Sequence, residues 1–255
     1  MRRTRRRLFL LAGAATAAST LLALAGCGGG HDREPPGSDA QYPLATTTRQ
    51  LQAGDQWTYE VRTNNKRENY DYRVFVTSPL TLQDTSAQLI EVKAFRSSDP
   101  SERIEQQRIF TQNTASGDIV QTGKLADEAG ETRIFSLTQP QRILPGMWTA
   151  GGDFSYAFVY DPSAPYPEQE VRGQIVGAEA VQTPLGTFDT WKVVVDSIDR
   201  QNVREPDFFH FKTFWYAPQL GAYVKREDRT VGWEQNDLTR TYTLSATTVP
   251  LGPTK

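Results

Sequence analysis

Apolar and polar side chains alternate along most of this chain. The alternation starts just after a Gly54-Asp55 turn, where Trp57, Tyr59 and Val61 are separated by Thr58 and Glu60. A period of two puts those three side chains on one face of a half-buried strand. Asn64-Asn65 interrupts the pattern and Tyr70, Tyr72, Val74 and Val76 resume it, so residues 57–76 predict an antiparallel hairpin with a charged loop. Residues 88–95 give a third strand with Ile90, Val92 and Ala94 on one face. Between residues 97 and 137 no stretch sustains a helical apolar stripe for three turns. That favours strands at 104–111, 119–121 and 133–137, with a polar loop at 126–132. The competing reading is a short helix opened by Asp99-Pro100, with Glu102 in its first turn.

The second half repeats the pattern with more aromatic residues. Residues 154–158 form a strand, three prolines between Asp161 and Pro167 make a loop, and residues 170–181 form a strand bent near Gly173 or Gly177. Pro184 and Gly186 supply a tight turn, and the β-branched run after it, to Val195, is a strand by composition. In residues 208–216 the aromatics Phe208, Phe209, Phe211, Phe214, Trp215 and Tyr216 occupy both strand parities. Either both faces are covered, as in a sandwich or closed barrel, or one face lines an apolar groove. The turn Ala217-Pro218-Gln219-Leu220-Gly221 leads into residues 222–226, and the last strands are 230–234 and 238–244. Gly146-Met147-Trp148-Thr149 echoes the opening Gly54-Asp55-Gln56-Trp57-Thr58, a match too short to divide the chain in two. The expected fold is all-β: one antiparallel curved sheet closing as a half-barrel, barrel or sandwich, with few or no helices.

The first 49 residues do not share this pattern. Arg2, Arg3, Arg5, Arg6 and Arg7 precede an apolar run from Leu8 to Ala25, which ends at Leu24-Ala25-Gly26-Cys27. This is the layout of a secretory signal, and it resembles that of bacterial lipoprotein precursors. The resemblance implies a signal peptide at 1–26 and acylation of Cys27, with a palmitate-type lipid anchor. The competing reading, a transmembrane helix, is disfavoured because Gly13, Thr16, Ser19 and Thr20 interrupt a run made mostly of alanine. Cys27 is the only cysteine among 255 residues, so the chain forms no internal disulfide and the thiol is left for another use. Residues 4–10 also resemble a twin-arginine export signal, and both that route and ordinary export stay open. Gly28 in place of aspartate after the cysteine points to the outer membrane, facing the periplasm. Residues 27–49 are rich in Gly, Pro and Thr and are expected to be a flexible tether. The β-domain is then 50–246, with a tail at 247–255.

Composition narrows the chemistry. Five of the 28 Lys+Arg fall in the signal and none of the 30 Asp+Glu do, which leaves 23 basic against 30 acidic residues and a net charge of -7. No basic cluster follows Arg7, so nucleic acid is not an expected partner. The two histidines are His31, alone in the tether, and His210 between Phe209 and Phe211. With no second ligand beside either, no metal site or cofactor is expected. There is no Gly-x-Ser-x-Gly elbow, no phosphate loop and no calcium loop, so no catalytic residue is assigned.

Three motifs carry a further resemblance: Gly54-Asp55-Gln56-Trp57-Thr58-Tyr59, Thr183-Pro184-Leu185-Gly186-Thr187-Phe188, and Phe214-Trp215-Tyr216-Ala217-Pro218 continuing through Leu220-Gly221 to Tyr223-Val224-Lys225-Arg226. They resemble bacterial envelope β-proteins of no agreed activity, over about residues 50–244. The likeness implies a curved antiparallel sheet, loosely similar to the Lol lipoprotein carriers and receptors, though the helices that plug those half-barrels have no counterpart here. The reading at this point is a membrane-anchored, non-enzymatic envelope lipoprotein with a monomeric domain that binds an apolar ligand or an envelope protein. Phe208, Phe214, Trp215 and Tyr216 are the candidate ligand-binding residues. The alternatives are a structural scaffold and a carbohydrate-active hydrolase working through paired carboxylates.

Overall fold

The computed structural model describes residues 41–64, 70–82, 85–97, 99–128, 131–160, 167–200, 208–231 and 238–252. Cys27, the signal and most of the expected tether lie outside them.

Twelve strands account for nearly all of the described chain: β1 (Gln56–Thr63), β2 (Tyr70–Leu82), β3 (Thr85–Arg96), β4 (Asp99–Asn113), β5 (Ile119–Glu128), β6 (Glu131–Leu144), β7 (Asp153–Phe158), β8 (Gln169–Thr183), β9 (Gly186–Asp199), β10 (Phe208–Ala217), β11 (Ala222–Val231) and β12 (Leu238–Thr247). The only helical element among the described residues is a 3-10 turn, Pro218–Leu220. Asp99-Pro100 opens β4 and not a helix. The polar loop expected at 126–132 is shorter than its composition suggested, because β5 runs to Glu128 and β6 begins at Glu131.

Every pairing is antiparallel, and the strand order is β6-β5-β4-β3-β2-β1-β12-β11-β10-β9-β8-β7. The sheet curls into a nearly closed barrel. Its first and last strands pair with each other, Val61 opposite Tyr242, so the break falls in mid-chain, between β6 and β7. There the Thr138 N–H donates to the Val159 carbonyl at 3.1 Å. Side chains bridge the rest: Lys124 reaches Glu168 at 3.0 Å, and Gln121 Nε2 donates to the Tyr160 hydroxyl at 2.9 Å.

Residues directly opposite in an antiparallel pair share a face, so the register identifies the interior. Tyr59 faces Tyr72 and Leu244, Val74 faces Val92, and Phe214 faces both Val193 and Arg226. The bend predicted in residues 170–181 is a register shift between Ile175 and Gly177.

One rim is crossed by the chain entering β1. Tyr42 stacks on Phe188 with ring centroids 4.3 Å apart, and its backbone bonds to Thr187 and Asp189. Trp191 Nε1 donates to the Ala45 carbonyl at 2.8 Å, Trp148 Nε1 to Thr48 Oγ1 at 2.7 Å, and Gln88 Nε2 to the Leu51 carbonyl at 2.9 Å. Arg49 grips Asp55 with two bonds of 2.5 and 2.9 Å. Residues 41–49, expected to belong to the tether, are therefore part of the packed domain. Their sparse apolar side chains were legible, but the carbonyls that neighbouring tryptophans and amides use were not. At the other end of the domain, Val249 is buried within what was expected to be tail.

Candidate functional site

The barrel interior is not filled uniformly. A cavity of about 340 Å³ lies along the inner faces of β7 to β10, with residues 142–149 of β6 and the link after it forming the opposite side. Phe154 and Tyr156 of β7, Val171 and Ile175 of β8, Val193 and Val195 of β9, and Phe214 and Tyr216 of β10 make it largely apolar. Gly173 helps to shape this wall, because a Cβ there would come within 2.2 Å of the Phe154 ring.

Three polar groups on the wall stand out. Lys212 shares the inward parity of Phe214 and lies opposite Val195 and Asp228. Ser197 is 4% exposed, and its hydroxyl has no hydrogen-bond partner. Gln169 donates to Asp199. Other buried polar atoms also lack partners, among them Trp57 Nε1 and Tyr223 OH, but of these Ser197 Oγ alone is on the cavity lining among the described residues.

The charges around this wall pair off unequally. Arg226 forks onto Asp228 through Nε and Nη2, and its guanidinium lies 4.5 Å from the Tyr242 ring centre. The pair is internally neutral, as a buried pair must be to be tolerated. His210 Nε2 is 2.9 Å from Asp199 Oδ2, an ion-pair distance with a bent approach, and Nδ1 is 3.1 Å from Thr230 Oγ1. Burial alone would push the Asp199 carboxyl up, but hydrogen bonds from His210 and Gln169 outweigh it and hold the group below the usual carboxylate range. Lys212 is left without an ion pair or hydrogen bond. Burial pushes its ammonium down, the nearby Arg226 charge adds to that, and Asp228 and Asp199 oppose it. Burial also pushes the Tyr156 hydroxyl up to about 12, so that wall is neutral.

The site can therefore hold an apolar body with a polar end near Lys212 and Ser197. Asp199, His210 and Thr230 place acid, imidazole and hydroxyl in a row. They stand on adjacent strands of the sheet, however, where backbone N–H groups are spent on the ladder and do not offer an oxyanion pocket. Among the described residues no group of three or more His, Cys, Asp or Glu side chains comes together to hold a metal ion.

Of the four aromatics expected to bind a ligand, Phe214 and Tyr216 line the cavity. Phe208 has the same parity but sits opposite Asp199 at the start of β10 and does not line it. Trp215 points to the other face. It is buried there between Lys192 and Lys225, whose ammonium groups lie 5.3 and 4.5 Å from the ring centre. The remaining outward aromatics, Phe209 and Phe211, are 44% and 43% exposed, so that face of β10 is not covered. Lys212, Ser197, Gln169 and Trp148 were not singled out from the sequence. Lys212 did carry a signal, since it is a lysine in register with Phe208, His210, Phe214 and Tyr216 on one strand face.

No protein-family model and no curated protein matches this chain. Three solved structures are similar to it. One is a protein of Bacteroides fragilis described as exported and having a YmcC-like fold, at 12% identity and TM-score 0.44 over 80% of this chain and 99% of that one. Another, described as a lipoprotein of Parabacteroides distasonis, aligns at 14% identity and TM-score 0.43 over 79% and 98%. The third is the hypothetical lipoprotein YmcC of Escherichia coli, at 11% identity and TM-score 0.32 over 74% and 83%.

Proposed function

We propose that this chain is a cell-envelope lipoprotein, anchored through an acylated Cys27, whose barrel binds a ligand with a single alkyl or acyl chain in its interior cavity. The observation that carries the binding role is an apolar hollow of about 340 Å³ inside a barrel whose other inward side chains pack closely. That volume is at the small end of the roughly 300–1,000 Å³ usual for ligand sites, which suits one chain and not a whole diacyl lipid. Burying about 300 Å² of alkyl surface gains roughly 7 kcal/mol at about 25 cal/mol per Å². Ordering costs of several kcal/mol bring the affinity to between micromolar and millimolar. The anchoring role rests on Leu24-Ala25-Gly26-Cys27, and Gly28 favours the outer membrane, periplasmic side.

Anchoring is tested by the intact mass of protein purified from membranes, which should show an acylated amino-terminal Cys27; a bare cysteine refutes it. Binding is tested with the full chain carrying Cys27→Ser, so that no acyl group of its own is present, titrated with dodecanol while tryptophan fluorescence is followed. A saturable change is expected that Trp148→Phe removes and Trp215→Phe retains, because Trp148 lines the cavity and Trp215 does not. No change at any concentration below micelle formation overturns the binding role and leaves a scaffold.

A further inference from the structure

We propose that the ligand is an amphiphile with one compact anionic head, a carboxylate or a phosphate monoester, received by the Lys212 ammonium and the Ser197 hydroxyl at the polar end of the cavity. This rests on the cavity being a ligand site, and it goes further by assigning the head group and the residues that read it.

The argument is one of accounting for charge and donors. Each charged group near this part of the wall has a partner except one. Arg226 and Asp228 satisfy each other through two hydrogen bonds. Asp199 is taken by Gln169 and His210. Arg142 and Asp153, which also border the cavity, are exposed and solvated. That leaves Lys212, whose alkyl stem stands in an aromatic wall between His210 and Phe214 and whose ammonium no side chain neutralises. Burying an ammonium without a partner is costly, and proteins avoid it unless the group has work to do.

Ser197 adds an independent observation. It is on β9, directly opposite His210 and two residues from Val195, the partner of Lys212 in the ladder. It is more than nine-tenths buried, it lines the cavity, and its hydroxyl is unpaired. A hydroxyl donates one hydrogen bond and an ammonium up to three. An oxyanion supplies acceptors for both and the opposite charge for the lysine. An alcohol head would satisfy Ser197 but leave Lys212 charged and alone, and a cationic head would be repelled. The apolar remainder of the cavity selects what the head is attached to.

The test uses the full chain carrying Cys27→Ser and four probes of equal chain length: dodecanoate, dodecyl phosphate, dodecanol and dodecyltrimethylammonium. Isothermal titration should rank one or both anions above dodecanol by about tenfold or more, the scale of a hydrogen bond to a charged group, with the cation weakest. The preference between dodecanoate and dodecyl phosphate identifies which oxyanion the site takes. Lys212→Met should bring the favoured anion down to the dodecanol level while leaving dodecanol unchanged. Ser197→Ala, a smaller change to the fold, should weaken the anion by a few fold. Equal binding of anion and alcohol, unaltered by either variant, overturns the head-group assignment while leaving the cavity reading intact. Binding of none of the four, dodecanol included, is the failure of the cavity reading itself. Should Lys212→Met not fold, Ser197→Ala and the probe ranking still decide.

Discussion

The inner faces of β1, β2, β11 and β12 follow the same alternation as those of β7 to β10, yet the first set fills the barrel and the second leaves room. Around the first, large rings meet from opposite walls. Tyr59 stacks on Tyr223 with centroids 4.5 Å apart and donates through its hydroxyl to the Tyr223 carbonyl at 2.9 Å, while Tyr72 meets Tyr242 edge-on at 5.3 Å. Such pairs contribute about 0.5–1.5 kcal/mol each beyond the area they bury. Around the second, Phe154 lies over Gly173, and Val193, Val195 and Ser197 supply short side chains where the first set has tyrosines. The alternation decides which side chains point inward. Whether they touch depends on the sum of their lengths across the barrel.

The comparison is broken or kept most directly by one substitution made in both regions. Val61 of β1 is 1% exposed in the packed centre and Val195 of β9 borders the cavity. Val61→Phe forces a ring into filled space and should cost about 1–3 kcal/mol, as overpacking does. Val195→Phe places the same ring in the hollow. Its expected cost is under about 1 kcal/mol, the scale of a tolerated core change, together with loss of dodecanol binding. Urea unfolding of the two variants and of the parent measures both. Equal losses would mean that the cavity closes in solution and that the two regions do not differ in kind.

The same distinction explains what could be read from the sequence. The period-two pattern located most of the strands, and turn residues such as Pro184-Leu185-Gly186 located several of their ends. Barrel closure was not legible, because it depends on β1 pairing with β12 across almost the whole chain and on a seam between β6 and β7 held by Thr138 and side chains. Phe214 and Tyr216 were found by their aromatic character. Trp215 was grouped with them because composition ignores parity, and its true neighbours, Lys192 and Lys225, are on other strands. Ser197 carried no signal at all, since a serine in a valine-rich strand is ordinary until its hydroxyl is found buried and unpaired.

A smaller effect sharpens the account of the hollow side. Lys212 is uncompensated only if Asp199 is already ionised and occupied by Gln169 and His210. In the folded chain the Asp199 carboxyl is held below its usual range, whereas unfolding returns it to about 3.9. A depressed folded value means that the carboxylate stabilises the fold above about pH 4 and that this contribution disappears as pH falls through the folded value. The Asp199 side chain is 36% exposed, so solvent screening keeps the effect under about 1 kcal/mol. The parent should therefore exceed Asp199→Asn in stability by a few tenths of a kcal/mol at pH 6, and the gap should shrink toward zero near pH 2. Carbon-detected NMR titration of the Asp199 carboxyl gives the same answer without unfolding, as a midpoint below about 3.9. A midpoint above that value would mean that burial outweighs the two hydrogen bonds. Asp199 would then be protonated more readily than the pairing requires, and its hold on His210 would no longer explain why Lys212 is left for a ligand.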